Sequence, residues 1–157
     1  HGACIGGGID LITACDIRLA SADAIFSVRE TKIAIVADVG TLQRLPRVIA
    51  AGHAAELIYT GKDIDAARAE KIGLVNDVLP DHDAVVAAAQ AMAAEIAANS
   101  PLAVQGSKTI LQRGGDLTVA QGLDLVALWN TAFIRSDDLK EAMAAFFEKR
   151  PPVFRGH

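Results

Sequence analysis

Gly6-Gly7-Gly8-Ile9-Asp10, followed by Leu11-Ile12-Thr13-Ala14-Cys15-Asp16-Ile17-Arg18, is the stretch on which the reading of this chain turns. His1 to Ile5 reads as the end of a strand, the three glycines as a loop, and Ile9 to Cys15 as a short apolar helix. The Lys-Ser/Thr pair of a phosphate loop is absent, and the spacing is not G-x-G-x-x-G, so neither nucleotide fingerprint applies. What remains is a glycine-rich strand-to-helix turn. Backbone N–H groups at such a helix start lack intrahelical acceptors and can hold a developing oxyanion. A tight turn that needs an unusual φ is the structural alternative. The stretch stands at the very start of a chain without an initiator Met, which leads us to expect the back part of a larger protein.

Outward from this bend the first half alternates short elements. Ile17 to Ala20 and Ala24 to Val28 are expected as buried strands. A helical stretch from Gly40 to Ile49 should break or kink at Pro46, and Gly52 to Tyr59 forms another helix. Asp65 is placed to cap a helix that Gly73 closes, before a strand over Leu74 to Leu79. Beyond Pro80 the pattern is helical. Val85, Ala89, Met92, Ala93 and Ile96 form one stripe. Ser100-Pro101 starts the next helix, Thr118-x-x-Gln121 is a capping box, and Ser136 followed by two acids opens the last. We therefore divide the chain into residues 1–79 and 80–157.

Fifteen Lys and Arg against 19 Asp and Glu give a net charge of −4, which argues against nucleic acid as a partner. Aromatic residues are only 4%, so few platforms exist for stacking bases. No apolar run approaches the ~20 residues of a spanning helix, and no secretory leader is recognisable. Cys4 and Cys15 form no disulfide framework and no zinc pattern; both read as small buried hydrophobes in a reducing cytoplasm.

Three carboxylates could carry chemistry. Asp10 lies in the first turn of the glycine-led helix. Glu30 follows the strand that ends at Val28, with Arg29 and Lys32 as possible ion-pair partners. Asp38 sits in Ile33-Ala34-Ile35-Val36-Ala37-Asp38-Val39-Gly40, where an acid is either exposed on a loop or buried for a function. Taken singly, each reads as structural. The four histidines show no metal or triad spacing, and Arg18, Arg44 and Arg47 read as surface or ion-pair residues.

Taken together, Gly6 to Asp10, Ala14-Cys15-Asp16-Ile17-Arg18, Phe26-Ser27-Val28-Arg29-Glu30 and Gln43-Arg44-Leu45-Pro46 resemble the crotonase superfamily of enoyl-CoA hydratases and isomerases. Thr60-Gly61, Ala66-x-x-Ala69, Gly73-Leu74-Val75 and Lys149-Arg150-Pro151-Pro152 extend the resemblance along the whole chain. Val36 to Pro46, together with Asp10 where hydratases usually carry Glu, looks most like the Δ3,5-Δ2,4-dienoyl-CoA isomerase branch. The resemblance implies an α/β fold: the later turns of a ββα spiral, then helices that build trimers or hexamers. It implies an acyl-CoA substrate, with coenzyme A part of that substrate, no separate cofactor and no metal. Gly7 takes the place of one oxyanion donor, flanked by Gly6 and Gly8 against the substrate; the second donor is expected upstream of His1. Glu30 matches the position facing C2, Asp38 is expected deeper and delivering a proton at C6, and Asp10 matches a third acid that orients the others. Enoyl-CoA hydration is the alternative activity. A catalytically impaired assembly module is the alternative of another class.

Overall fold

The computed structural model describes all 157 residues, which divide into two compact units, residues 1–90 and 91–157. The first unit holds every strand. β1 (Ala3–Ile5) pairs in parallel with β3 (Ile25–Ser27), and β3 pairs antiparallel with β4 (Ile64–Asp65). A separate parallel pair joins β2 (Leu19–Ser21) to β5 (Asp77–Leu79). Parallel neighbours need a crossover, and α1 (Gly7–Thr13) begins the one between β1 and β3.

α1 starts two residues before the expected Ile9, because Gly7 and Gly8 are themselves helical and Gly6 alone makes the bend. Between β3 and the next helix lies a 3-10 turn, Glu30–Ile33, that no periodicity announced. α2 (Thr41–Val48) runs through Pro46 without breaking. Pro46 removes the bond to the carbonyl four residues earlier, but the helix ends two residues later, so little is lost. α3 (Ala51–Thr60) closes on Gly61, which takes a left-handed φ of 56°. α4 (Ala66–Lys71) is capped by the Asp65 carboxylate, which accepts from the Arg68 N–H at 2.7 Å.

One apolar cluster holds this unit together: Ile9 of α1, Phe26 and Val28, Leu45 and Ile49, Ala54 and Leu57, Ile64, Ala69 and Leu74. Leu45 and Leu74 are fully buried, each contributing about 1.5–3 kcal/mol of transfer free energy.

α5 (His82–Ala97) carries the boundary between the units. The second unit contains α6 (Pro101–Gly114), α7 (Val119–Phe133) and α8 (Asp137–Glu148). The Thr118–Gln121 capping box and the Ser136 cap form as the sequence dictates. Ser100 does not cap α6; its hydroxyl donates to Asp138 at 2.6 Å instead. The buried Asp138 also accepts from the backbone N–H groups of Arg155 and Gly156, tying the last residues to the start of α8. Gly106 lets α6 approach the Trp129 indole of α7, where a Cβ would collide with the ring. Leu111, Val119, Leu128, Phe146 and Phe147 are largely exposed. No helix is long and apolar enough to cross a membrane.

Candidate active site

Parallel pairing of β1 and β3 sets their carboxyl ends side by side, Ile5 against Ser27. Such ends are where open α/β sheets place ligands. Gly6 follows Ile5, and its N–H donates to the Ser27 carbonyl at 2.9 Å. From Ser27 the chain needs only Val28 and Arg29 to reach Glu30. The register of two three-residue strands therefore brings the glycine bend and Glu30 together.

The contact is close. Gly6 adopts φ 56° and ψ −115°, and a Cβ there would lie 3.2 Å from Glu30 Oε1. Glu30 is buried, and its Oε2 has no hydrogen-bond partner. A buried carboxylate oxygen without a donor is costly, which makes Glu30 a candidate site residue. Beside it, Gly7 opens α1 and is exposed, with no atom within 4 Å of where its Cβ would stand. Its N–H belongs to the first helical turn, which has no intrahelical acceptor. Gly8 faces the other way, toward the Cys4 sulfur 3.2 Å from its Cβ position.

Asp10 is also buried, and it is occupied. Its Oδ1 accepts from both the N–H and the hydroxyl of Thr41, each at 2.7 Å. The carboxylate thus caps α2, whose own preceding residue is glycine and offers no side chain. Arg44 completes this junction. Its Nη2 donates to the carbonyls of Asp10 and Val39, both at 2.8 Å, while Nε approaches Thr13 Oγ1 at 3.4 Å. The expectation of Arg44 as a surface residue is corrected: it ties α1, α2 and the loop that precedes α2.

Asp38 is exposed, and so are Ile35, Val36 and Val39 around it; only Ala37 in this loop is buried. The deeper placement expected from its apolar flanks is not what the chain adopts, because those flanks line the surface rather than the core. Asp38 nevertheless stands three residues before Thr41, so the Asp10–Thr41 bonds tether its loop to the helix led by the glycine bend.

Other expectations also shift. Arg29 pairs with Asp63 rather than Glu30, its Nε donating to Oδ1 at 3.0 Å. That arrangement leaves Glu30 without a cationic side-chain partner and holds the Asp63 carboxyl below its ordinary range. Cys4 is half-buried, and burial pushes its thiol up; Cys15 is exposed, not buried. Arg18, just before β2, donates to the Leu74 and Cys15 carbonyls, tying the end of α1 to the turn that precedes β5. The features that sequence reasoning missed are Thr41, Arg44 and an apolar cavity of about 480 Å³ behind Thr31, lined also by Val36, Ala37, Leu42, Ile58 and Tyr59. Glycine before a threonine at the head of α2 was the one available signal. No cluster of three or more His, Cys, Asp or Glu side chains is placed to hold a metal ion.

The family model for enoyl-CoA hydratase/isomerase matches residues 1–157. The chain is 57% identical over 155 residues to the mitochondrial Δ(3,5)-Δ(2,4)-dienoyl-CoA isomerase of Dictyostelium discoideum, covering 99% of this chain and 53% of that protein. It is 49% identical over 154 residues to the peroxisomal Δ(3,5)-Δ(2,4)-dienoyl-CoA isomerase of Arabidopsis thaliana, covering 98% and 55%. Among solved structures, enoyl-CoA hydratase from Bacillus anthracis superposes with a TM-score of 0.95 at 39% identity, covering 99% of this chain and 60% of that one. The chain thus spans about half the length of the curated relatives it matches. The expected cytoplasmic location is overturned, since these isomerases are mitochondrial and peroxisomal proteins. The matched family, the fold shared with its solved members and the pairing of Glu30 with the glycine bend agree: this chain belongs to the enoyl-CoA hydratase/isomerase family, the crotonases.

Proposed function

We propose that the protein to which this chain belongs converts 3,5-dienoyl-CoA to 2,4-dienoyl-CoA. The observation that carries the reading is the buried Glu30 carboxylate, with Oε1 packed on Gly6 and Oε2 without a partner, beside the N-terminal amide of α1. A proton at C2 of a thioester leaves only if the enolate oxygen is stabilised as it forms. The Gly7 N–H supplies one donor, and the second belongs to the protein outside this chain. Glu30 takes the C2 proton. The electron pair spreads over the diene, and Asp38 delivers a proton at C6, so C2=C3 and C4=C5 replace C3=C4 and C5=C6. One proton leaves the substrate and one enters; both acids return to their starting states through solvent. The reaction consumes no cofactor, and coenzyme A is part of the substrate.

The identity to the two isomerases supports this reading. Enoyl-CoA hydration is the second reading, favoured by the likeness to the Bacillus anthracis hydratase. It requires two acids arranged around a water, and the commitment of Asp10 to Thr41 weighs against it. We assign residues 1–79 to the catalytic spiral and 80–157 to homo-oligomer formation, as a trimer or hexamer, on the exposed apolar side chains of α7 and α8. In the impaired-module alternative this chain serves assembly alone.

The full-length protein is to be incubated with each substrate and followed by ultraviolet absorbance. Rising absorbance of the conjugated 2,4-diene is expected from the 3,5-dienoyl-CoA. Loss of absorbance from a 2-enoyl-CoA with no diene formation would select hydration; this chain assayed beside the full-length protein tests the module, which activity within a few-fold of the intact protein would reject. Molecular mass in solution tests the oligomer.

A further inference from the structure

We infer that Arg44 is a positioning residue for Asp38, setting where that acid delivers its proton; this rests on the isomerase reading above. The two N–H bonds of Nη2 serve two carbonyls at 2.8 Å, that of Asp10 in α1 and that of Val39, the residue after Asp38. One guanidinium nitrogen thus joins the helix that begins at Gly7 to the carbonyl of the residue after the acid. Gly40 makes this approach possible: its φ is 110°, and a Cβ there would collide with the guanidinium. Thr41, one residue further, is bonded to the Asp10 carboxylate, so the same junction is fastened twice.

The loop has few other restraints. Its near end is tied by the Ile35 N–H to the Glu30 carbonyl at 3.1 Å, and in between only Ala37 is buried. Asp38 is itself exposed, so its backbone attachment decides where its carboxyl stands. Glu30 does not depend on this clamp, because it sits on the 3-10 turn against Gly6. Loss of the clamp therefore separates the two proton transfers: the C2 step persists while C6 delivery falls. A lysine ammonium, as a point donor on a flexible stem, does not reproduce the planar fork.

The test uses the full-length protein, Arg44→Ala and Arg44→Lys, with two readouts in D2O: deuterium entering C2 and diene formation. Both variants should lose about 10²-fold in diene formation, while C2 exchange and KM stay within about three-fold. Millimolar guanidinium should restore diene formation in Arg44→Ala, and Gly40→Ala should reproduce the split. If Arg44→Ala fails to fold, Arg44→Lys carries the comparison. Equal losses in exchange and diene formation, or no loss in either, overturn the inference. A parent protein that neither exchanges C2 nor forms diene refutes the isomerase reading instead, and that outcome is visible before any variant is made.

Discussion

Replacing Gly6 with alanine tests the contact on which the site is built. At φ 56° and ψ −115° the backbone occupies a region open to glycine and strained for residues with a Cβ, a cost of about 1–3 kcal/mol. The new methyl would also stand 3.2 Å from Glu30 Oε1 and 3.8 Å from Cδ, so the carboxylate must retreat by a few tenths of an ångström, in the order of contact relief. At about 2–4 °C per kcal/mol for a chain of this size, the melting temperature should fall by roughly 2–12 °C. Activity should fall further than stability, by up to about 10²-fold, because catalysis senses displacements that packing absorbs. Gly7→Ala is the control: with open space at its Cβ position and no positive φ, its stability should change by no more than about 0.5 kcal/mol. Calorimetry on both variants and the diene assay on Gly6→Ala decide the matter. A Gly6→Ala protein that melts with Gly7→Ala and isomerises like the parent would refute the argument.

Thr41→Val keeps the backbone bond to Asp10 but deletes the buried hydroxyl that donates at 2.7 Å. Loss of a hydrogen bond to a charged group should cost about 1.5–3 kcal/mol, read from the urea midpoint at constant slope; an unchanged midpoint would show that the Thr41 hydroxyl adds nothing to the hold on Asp10. In the second unit, Arg150 and the Val153 N–H hold the Glu141 carboxyl down at about 2, from an ordinary 4.5. Because the folded value is depressed, its stabilisation is complete above 4.5 and is lost as pH falls toward 2. Melting temperature against pH should therefore drop less steeply across that interval in Glu141→Gln; coincident slopes would show that the contact contributes nothing.

Local hydrogen-bond chemistry was the most legible part of the chain. The Asp65 cap, the Thr118–Gln121 box and the Ser136 cap each involve residues three or fewer positions apart, and each forms. Ser100 shows the limit, since its hydroxyl turns to Asp138 across 38 positions and no cap results. The apolar run around Asp38 misled for a related reason: hydrophobicity reports a tendency to be covered, and nothing within this chain covers Val36 or Val39.

The sequence by itself determined the family, the alternation of short strands with helices in the first unit, the helical second unit, and the acids worth considering. Only the tertiary structure decided what those acids touch. Glu30 rests on Gly6 because the β1–β3 register sets two strand ends together, and Asp10 is spent on Thr41, 31 positions away. The physical reason is range: propensity, periodicity and capping act within a turn or two of the backbone. A contact between residues far apart in the chain is instead a coincidence in space, produced by strand register and core packing that no short stretch encodes.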